Sequence, residues 1–240
     1  MDTIRKSFGD ELQEIKQDIL KMGSVVEEML VGSVRALQLR DEIVADEVIA
    51  KDDLVDGYNV VIEQRCLRLL ALQQPMARDL RTIAAGLYII KDVERMGDYA
   101  LDIAKAARKL SVIDPISDAS VACSRRNLPD ASVACSRRNL VKIPKMARIV
   151  QTMLHESLQA FVNPNMDMIS DVARKDDEVD LLYRQVRDEL IELIQKNPST
   201  AQPAVELILV ARYLERIADH ITNVGERIAY METGEIKELH

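Results

Sequence analysis

Hydrophobic residues recur at alternating intervals of three and four positions along most of the chain. This spacing places them on one face of an α-helix. No segment keeps the period of two that a half-buried β-strand requires, so we predict an all-α protein. Six helices are predicted, three in each half of the chain: residues 8–39, 41–72, 76–109, 143–162, 165–196 and 201–233.

Two of the hydrophobic stripes extend over many turns and have the spacing with which long antiparallel helices pack. The second predicted helix carries the stripe Val48, Asp52, Val55, Asn59, Ile62, Cys66 and Leu69. The last helix carries the stripe Val210, Leu214, Ile217, Ile221, Val224 and Ile228. Proline is tolerated best at the start of a helix, which predicts starts at Pro75, Pro144 and Pro164 and a stop at Asn197–Pro198.

The two halves of the chain resemble each other. An offset of 124 residues aligns the first two helices of each half, and an offset of 121 aligns the third. The clearest pairs are Ser33 with Ser157, Lys51–Asp53 with Lys175–Asp177, Glu94–Arg95 with Glu215–Arg216, and Asp98 with Asp219. We therefore predict two tandem three-helix bundles related by internal repeat, over residues 1–113 and 141–240.

Residues 114–140 show no helical period and are predicted to link the two bundles. The segment contains a perfect duplication, with DASVACSRRNL at Asp118–Leu128 and again at Asp130–Leu140. A solvated loop is the simplest interpretation of this sequence. The alternative is that its two Arg-Arg pairs bind phosphate or an acidic partner.

Composition narrows the possible classes of function. The net charge of −8 argues against nucleic acid or an anionic membrane surface as the primary partner. No apolar run approaches the roughly 20 residues that span a bilayer, and the N-terminus lacks the apolar core of a signal peptide, so we expect a cytoplasmic protein. Cys66, Cys123 and Cys135 have neither metal-ligand spacing nor a disulfide context, and Cys66 is expected in the core.

Four short acidic motifs are present, two in each half: DDLVD at Asp52–Asp56, ERMGD at Glu94–Asp98, DDEVD at Asp176–Asp180 and ERIAD at Glu215–Asp219. In each motif two carboxylates lie four residues apart and share one helix face. They continue the apolar stripe of their helix, which predicts that they face the bundle rather than solvent. One carboxylate cluster is therefore expected in each bundle, formed by Asp52, Asp56, Glu94 and Asp98 and by Asp176, Asp180, Glu215 and Asp219.

Ion pairing is one explanation for these acids, because Arg95, Arg216, Lys51 and Lys175 are their neighbours in the sequence. Four motifs in register favour cation binding instead, since clustered carboxylates do not all stay ionised without a counter-ion. Oxygen-only ligands suit Mg²⁺, Mn²⁺ or Ca²⁺, and bridging carboxylates suit iron. No Glu is followed three residues later by His, so a ferritin-like oxidase is disfavoured, and His220 is expected at the surface.

Three longer segments surround the acidic motifs: QQPMARDLRTI at Gln73–Ile83, KDVERMGDYALDIA at Lys91–Ala104 and LVARYLERIADHITNVGE at Leu209–Glu226. In these segments the chain resembles the PhoU family of phosphate-uptake regulators, and the resemblance covers nearly the whole chain outside the linker, which is shorter in the family. It implies two three-helix bundles with a metal centre in each, held by the eight acids named above. Some members hold multinuclear clusters there, iron among them, while zinc, manganese and magnesium remain open.

The resemblance implies a regulatory function rather than an enzymatic one. Members act in the cytoplasm as negative regulators of phosphate uptake and phosphate-starvation signalling, as adaptors between the phosphate ABC transporter with its ATPase and a sensor histidine kinase. They reach the membrane only through these partners, and the long apolar helices favour a homodimer. The alternatives are a metal-dependent phosphohydrolase with carboxylate-bridged clusters, and a purely structural bundle whose acids are neutralised by Lys and Arg.

Overall fold

The computed structural model describes residues 2–73, 75–113 and 131–235, and these residues form helices without any β-strand. The predicted all-α fold is confirmed. A 3₁₀ turn, Pro198–Thr200, precedes the last helix. The described residues contain seven α-helices: α1 Asp2–Leu39, α2 Glu42–Ile49, α3 Asp52–Leu72, α4 Ala77–Val112, α5 Ala131–Val162, α6 Met166–Lys196 and α7 Ala201–Thr233.

The helices pack as two three-helix bundles in tandem. Helices α1, α3 and α4 form the first bundle, and the short α2 lies against α1 and α4. Helices α5, α6 and α7 form the second. The bundles contact each other mainly through α4 and α7, and also through α1 and α5. No helix among the described residues combines the length and the apolar character needed to cross a bilayer.

The predicted second helix is divided into α2 and α3 by a short interruption at Ala50 and Lys51. Both residues keep right-handed helical backbone angles, and the N–H of Lys51 bonds the carbonyl of Val48 at 3.1 Å instead of continuing the α-helical pattern. The chain is therefore kinked and not reversed, and the hydrophobic stripe continues across the break. Val48, Val55, Ile62, Cys66 and Leu69 are all buried, as predicted.

Helix α5 begins within the segment predicted to be a linker. It starts at Ala131, so the second copy of the duplicated sequence is helical from that residue onward, whereas the first copy, Pro129 and Asp130 lie outside the described residues. Pro144, predicted to start a helix, lies inside α5 instead. Proline fits helical φ and removes one backbone N–H, so a long helix with strong packing can accommodate it at a local cost.

Other predicted helix ends agree with the structure. Pro164 comes just before α6, where Asn165 caps the helix by accepting hydrogen bonds from the N–H groups of Asp167 and Met168 at 3.0 and 3.3 Å. Asn197, on the other side of α6, follows its last residue. The Asn165 side chain thus satisfies backbone N–H groups that the start of a helix leaves without partners.

The internal repeat is visible in the core. Ser33 on α1 and Ser157 on α5, which the 124-residue offset aligns, are both fully buried. Each hydroxyl donates to the carbonyl three residues earlier, Leu30 in one bundle and Leu154 in the other, and both distances are 2.9 Å. The same polar group is thus accommodated in the same way in each half, which supports two related bundles.

The first helices of the two bundles approach each other closely at Gly23. A Cβ atom at this position would lie 2.6 Å from Cδ1 of Leu158 on α5, well inside van der Waals contact. Glycine therefore permits a distance between α1 and α5 that a larger residue would increase. This contact, together with that between α4 and α7, fixes how one bundle lies on the other.

Candidate metal centres

The first acidic cluster lies where α3 runs beside α4. Asp52 and Glu94 are half-buried, and Asp56 is exposed. Partial burial and the charges of Asp56 and Asp98 raise the pKa of Asp52. Partial burial, Asp98 and Asp56 likewise raise the pKa of Glu94. Asp98 of α4 raises the pKa of Asp52 on α3, and Asp56 of α3 raises the pKa of Glu94 on α4. The carboxylates of the two motifs are therefore close enough to repel each other across the helix pair.

Arg95 binds the acids of its own motif. Its guanidinium donates to Oδ2 of Asp98 at 2.9 Å, and its Nε lies 3.7 Å from Oε2 of Glu94. These carboxylates, Glu94 foremost, raise the pKa of Arg95. The arginine is largely exposed, so this pair is readily screened and exchanged with solvent. The ion-pair interpretation of the first cluster is correct for Arg95.

The second cluster lies between α6 and α7 and is more deeply buried. Asp176 and Glu215 are both buried. Burial and the charges of Asp219 and Asp180 raise the pKa of Glu215 to about 7, against the opposing effect of nearby arginines. Its Oε2 atom is buried without a hydrogen bond. The fold therefore disfavours the ionised form of Glu215.

Arginines also bind the acids of the second cluster. Arg212 donates a short hydrogen bond to Glu215. Arg216 donates to Oδ2 of Asp219 at 3.1 Å, which matches the pair formed by its equivalent Arg95 in the first bundle. On α6, Arg184 donates to Asp180 at 3.1 Å. The repeat therefore reproduces an arginine-to-aspartate pair, spaced three residues apart, in each half.

The two lysines next to the motifs form salt bridges with glutamates of other helices. Lys51 bonds Glu28 of α1 at 2.6 Å, and Lys175 bonds Glu156 of α5. Each lysine thus joins the acidic helix to the first helix of its own bundle. The salt bridge of Lys51 runs to Glu28 rather than to the neighbouring Asp52 or Asp53, so the ion-pair interpretation fails for this lysine.

The carboxylates of the two clusters are not arranged as a complete set of metal ligands in this structure. Within residues 2–73, 75–113 and 131–235, no three Asp, Glu, His or Cys side chains converge closely enough to hold one ion. The donor chemistry nevertheless fits a hard cation, because every donor is a carboxylate oxygen and the clustered acids repel one another. Guanidinium groups bind several of these oxygens, so an ion would have to displace Arg95 in the first bundle and Arg184, Arg212 and Arg216 in the second.

Sequence reasoning missed a polar contact between the bundles beside the clusters. His220 on α7 is partly buried rather than at the surface, and its Nδ1 lies 2.9 Å from Oδ1 of Asp92 on α4. Asn223 donates to the same carboxylate oxygen at 3.4 Å. The rings of Tyr99 and Tyr213 stack nearby with their centroids 5.9 Å apart. No sequence pattern predicts this contact, because it depends on how the two bundles pack against each other.

Comparison with known proteins identifies the family. Residues 19–107 and 143–228 match the family model described as the PhoU domain, one stretch in each bundle. The chain belongs to the PhoU family. Two similar relatives are named phosphate-specific transport system accessory protein PhoU homolog. One, from Clostridium acetobutylicum, is 35% identical over 98% of this chain and 99% of its own length. The other, from Aquifex aeolicus, is 37% identical over 94% of this chain and 93% of its own length.

Two solved PhoU structures share the fold. The crystal structure of PhoU from Pseudomonas aeruginosa matches with a TM-score of 0.80 and 30% identity, over 95% of this chain and all of that one. The phosphate transport system regulatory protein PhoU from Streptococcus pneumoniae matches with a TM-score of 0.80 and 29% identity, over 96% of this chain and 99% of that one. The predicted PhoU fold of two tandem three-helix bundles is confirmed.

Proposed function

We propose that this chain is an accessory protein of a phosphate-specific transport system, in which it acts as a negative regulator of phosphate uptake and of phosphate-starvation signalling. The relatives that carry the accessory-protein name match nearly the full length of the chain, including both bundles. The description of the Streptococcus pneumoniae protein as a transport system regulatory protein supports the regulatory part of the proposal.

We propose further that each bundle holds a metal centre. Asp52, Asp56, Glu94 and Asp98 would supply the ligands in the first bundle, and Asp176, Asp180, Glu215 and Asp219 those in the second. The observation that carries this proposal is that burial, together with the mutual repulsion of carboxylates from two helices in each cluster, raises the pKa of Asp52, Glu94 and Glu215. A bound divalent or trivalent ion, iron included, would supply the positive charge that these acids lack.

Metal binding would act on the two helix pairs that carry the acids. Within each bundle the acids lie on two neighbouring helices, α3 and α4 in the first and α6 and α7 in the second. Their mutual repulsion weakens these helix pairs, and the arginines relieve it only in part. Neutralising the acids would tighten both pairs and rigidify the faces that the helices present to solvent.

Metal content and stability measured together test the metal centres. The protein is purified without chelator, analysed by elemental mass spectrometry, and melted with and without EDTA. Glu94→Gln and Glu215→Gln are each expected to lower bound metal and to reduce the loss of melting temperature that EDTA causes. Glu192→Gln, which changes an exposed glutamate of α6 paired with Lys196, is the matched control and should leave both quantities unchanged. Equal metal content in all four proteins would exclude these sites.

We propose that the protein works in the cytoplasm as an adaptor between the transporter ATPase and the sensor histidine kinase. Its long rigid helices offer extended faces for protein contacts, and no nucleophile or nucleotide-binding motif occurs in the sequence. Immobilised protein is expected to retain both partners from solution when metal is present. Failure to retain the purified ATPase at micromolar concentration would refute the adaptor role.

The alternative is a metal-dependent phosphohydrolase. Arginines beside each carboxylate cluster are the feature that favours it, because an enzyme of this class needs basic groups to receive phosphate. Arg95 and Arg216 are bound to the acids of their own motifs, which favours their role in orienting those acids. Metal-dependent turnover of a phosphoester that Glu215→Gln abolishes would replace the adaptor proposal with this one.

A further inference from the structure

The two candidate metal centres differ in the cationic side chains that bind their acids. Among the described residues, Arg95 alone forms ion pairs with the four acids of the first cluster. Three guanidinium groups pair with acids of the second cluster, those of Arg184, Arg212 and Arg216. The second cluster therefore carries at least two more bound guanidinium groups than the first.

The internal repeat shows which arginines are additional. The 121-residue offset relates Arg212 of α7 to Lys91 of α4, and the 124-residue offset relates Arg184 of α6 to Val60 of α3. Arg184 is mostly exposed, so its ion pair is screened and exchanges readily with solvent. Only a third of the Arg212 side chain is exposed, and its partner Glu215 is buried. Arg212 is therefore the group whose displacement costs an incoming ion most.

The equivalent lysine of the first bundle has a different partner. Lys91 bonds Oε2 of Glu63 on α3 at 3.0 Å. The residue of α6 that is equivalent to Glu63 is Arg187. Arg212 thus meets a like charge where Lys91 meets a carboxylate, and its short hydrogen bond goes to Glu215 of its own helix instead.

An aromatic ring of α6 holds Arg212 beside Glu215. The guanidinium carbon of Arg212 lies 5.5 Å from the centroid of the Tyr183 ring, which is a cation–π contact between the two helices that carry the acids. The equivalent residue of the first bundle is Asn59. Its amide oxygen is buried and has no hydrogen-bond donor in the described part of the chain. The second bundle therefore has at this position a ring that attracts a guanidinium group, and the first has an oxygen atom without a partner.

We propose that the two centres differ in their affinity for metal ions, and that Arg212 and Tyr183 cause the difference. In the first bundle an ion displaces only the exposed Arg95. In the second bundle Arg212 neutralises Glu215 until an ion replaces it, and Tyr183 is the positioning residue that keeps the guanidinium in place. The difference presupposes the metal centres proposed above. The first centre then stays filled at metal concentrations at which the second gains and loses its ion, so the second bundle responds to the metal supply.

Equilibrium dialysis of the full-length chain against Mn²⁺ tests this difference. Metal-free protein is dialysed against submicromolar to millimolar Mn²⁺ at constant pH, and the bound metal is counted by elemental mass spectrometry. Two classes of site are expected, with dissociation constants that differ at least about tenfold. Glu94→Gln should remove the tighter class, and Glu215→Gln should remove the weaker one.

The same titration separates the difference in affinity from the existence of the centres. A single class of site that holds ions in both bundles would overturn the difference and leave the metal centres in place. Loss of the tighter class in Glu215→Gln would have the same meaning. No bound Mn²⁺ at any concentration would refute the metal centres themselves, and the difference with them.

An exchange of residues between the bundles tests Arg212. The double variant Arg187→Glu/Arg212→Lys introduces the residues of the first bundle, where Lys91 is bonded to Glu63. It should strengthen Mn²⁺ binding in the weaker class at least about tenfold and leave the tighter class unchanged. Lys196→Gln also removes a positive charge from α6, but one that pairs within the last turn of that helix, and should bind like the wild type. Equal affinities of the weaker class in all three proteins would overturn the role of Arg212.

Tyr183→Asn tests the positioning role without a change of charge. The variant introduces the residue of the first bundle and should strengthen binding in the weaker class about threefold or more, because Arg212 loses the ring that holds it. Tyr183→Phe keeps the ring and should bind like the wild type. Circular dichroism shows that each variant is folded. If the Asn and Phe variants bind Mn²⁺ equally well, Tyr183 does not position Arg212.

Discussion

His220 of α7 and Asp92 of α4 lie 2.9 Å apart, from Nδ1 to Oδ1, and form a direct polar contact between the two bundles. Asn223 adds a second bond to the same oxygen. The three side chains are partly buried, so their hydrogen bonds compete less with water than surface pairs do. The contact lies on the two helices that also carry the Glu-x-x-x-Asp motifs, and it therefore holds the two candidate metal helices against each other.

Asp92→Ala is expected to weaken this contact between bundles. Loss of the carboxylate leaves Asn223 and His220 without their shared acceptor, which costs about 1–3 kcal/mol. For a chain of this size that lowers the melting temperature by several degrees. Differential scanning calorimetry measures the change. Asp10→Ala, which removes an exposed acid without a side-chain partner in the described structure, should melt like the wild type, and an unchanged Asp92→Ala would show that the contact adds no stability.

Glu215 should make the metal-free protein less stable as the pH rises. Its pKa is about 7 in the folded chain, above the usual value of 4.5, so the native state holds this proton more tightly than the unfolded state. Stability therefore falls between about pH 4.5 and pH 7. Glu215→Gln removes this loss, and we expect the variant to be more stable than wild type by on the order of 2 kcal/mol at pH 8 and similar to it at pH 5.

Urea unfolding in the presence of EDTA measures this difference at the two pH values. Glu63→Gln, which changes a surface glutamate paired with Lys91, serves as the control and should follow the wild-type pH dependence. If wild type and Glu215→Gln lose stability equally between pH 5 and pH 8, the buried carboxyl of Glu215 is not the origin of the effect.

Periodicity predicted the helices and their buried faces well, because both depend on neighbours three and four residues apart. The stripe from Val210 to Ile228 is buried at every predicted position. The break at Ala50–Lys51 was missed, since it leaves the stripe intact. The start of α5 at Ala131 was also missed, because the duplicated segment has no apolar period and Pro144 suggested a later start.

The sequence indicated which helices carry the acids, but not what those acids contact. The predicted neighbours α3 and α4, and α6 and α7, do pack together, whereas Asp56, expected to face the bundle, is exposed. The bonds made by Lys51 and by Asp92 run to helices distant in sequence. Such contacts depend on how one helix is rotated against another and on how the two bundles pack together. Local sequence patterns do not predict either of these.

A larger residue at Gly23 should disturb the contact between α1 and α5. The Cβ of Gly23→Val would lie 2.6 Å from a methyl group of Leu158, so the helices must move apart or Leu158 must change its position. We expect a loss of stability of about 1–3 kcal/mol, measured by urea unfolding. Gly9→Ala, at an open position of the same helix, should instead stabilise the protein by about 0.5–1 kcal/mol. A neutral or stabilising Gly23→Val would show that α1 and α5 do not need this close approach.

Cys66 should resist thiol reagents in the native protein. It is fully buried on α3, and burial raises its pKa to about 11, so almost no thiolate is present at neutral pH. Native protein treated with iodoacetamide at pH 7.5 is expected to remain unmodified at this residue, while protein in urea reacts readily. Peptide mass spectrometry reports each cysteine separately. Equal labelling in native and denatured protein would mean that the first bundle opens on the timescale of the reaction.

The lysine bonds of the two bundles show how a duplicated gene can keep an interaction while changing a residue. Lys51 and Lys175 are equivalent, but their partners are not: the 124-residue offset relates Glu28 to Thr152, and Glu156 lies four residues beyond it. Four residues are about one helical turn, so Thr152 and Glu156 lie on the same face of the first helix. Each half thus has a lysine-to-glutamate tether between its first helix and its acidic motif, which a position-by-position alignment of the halves does not detect.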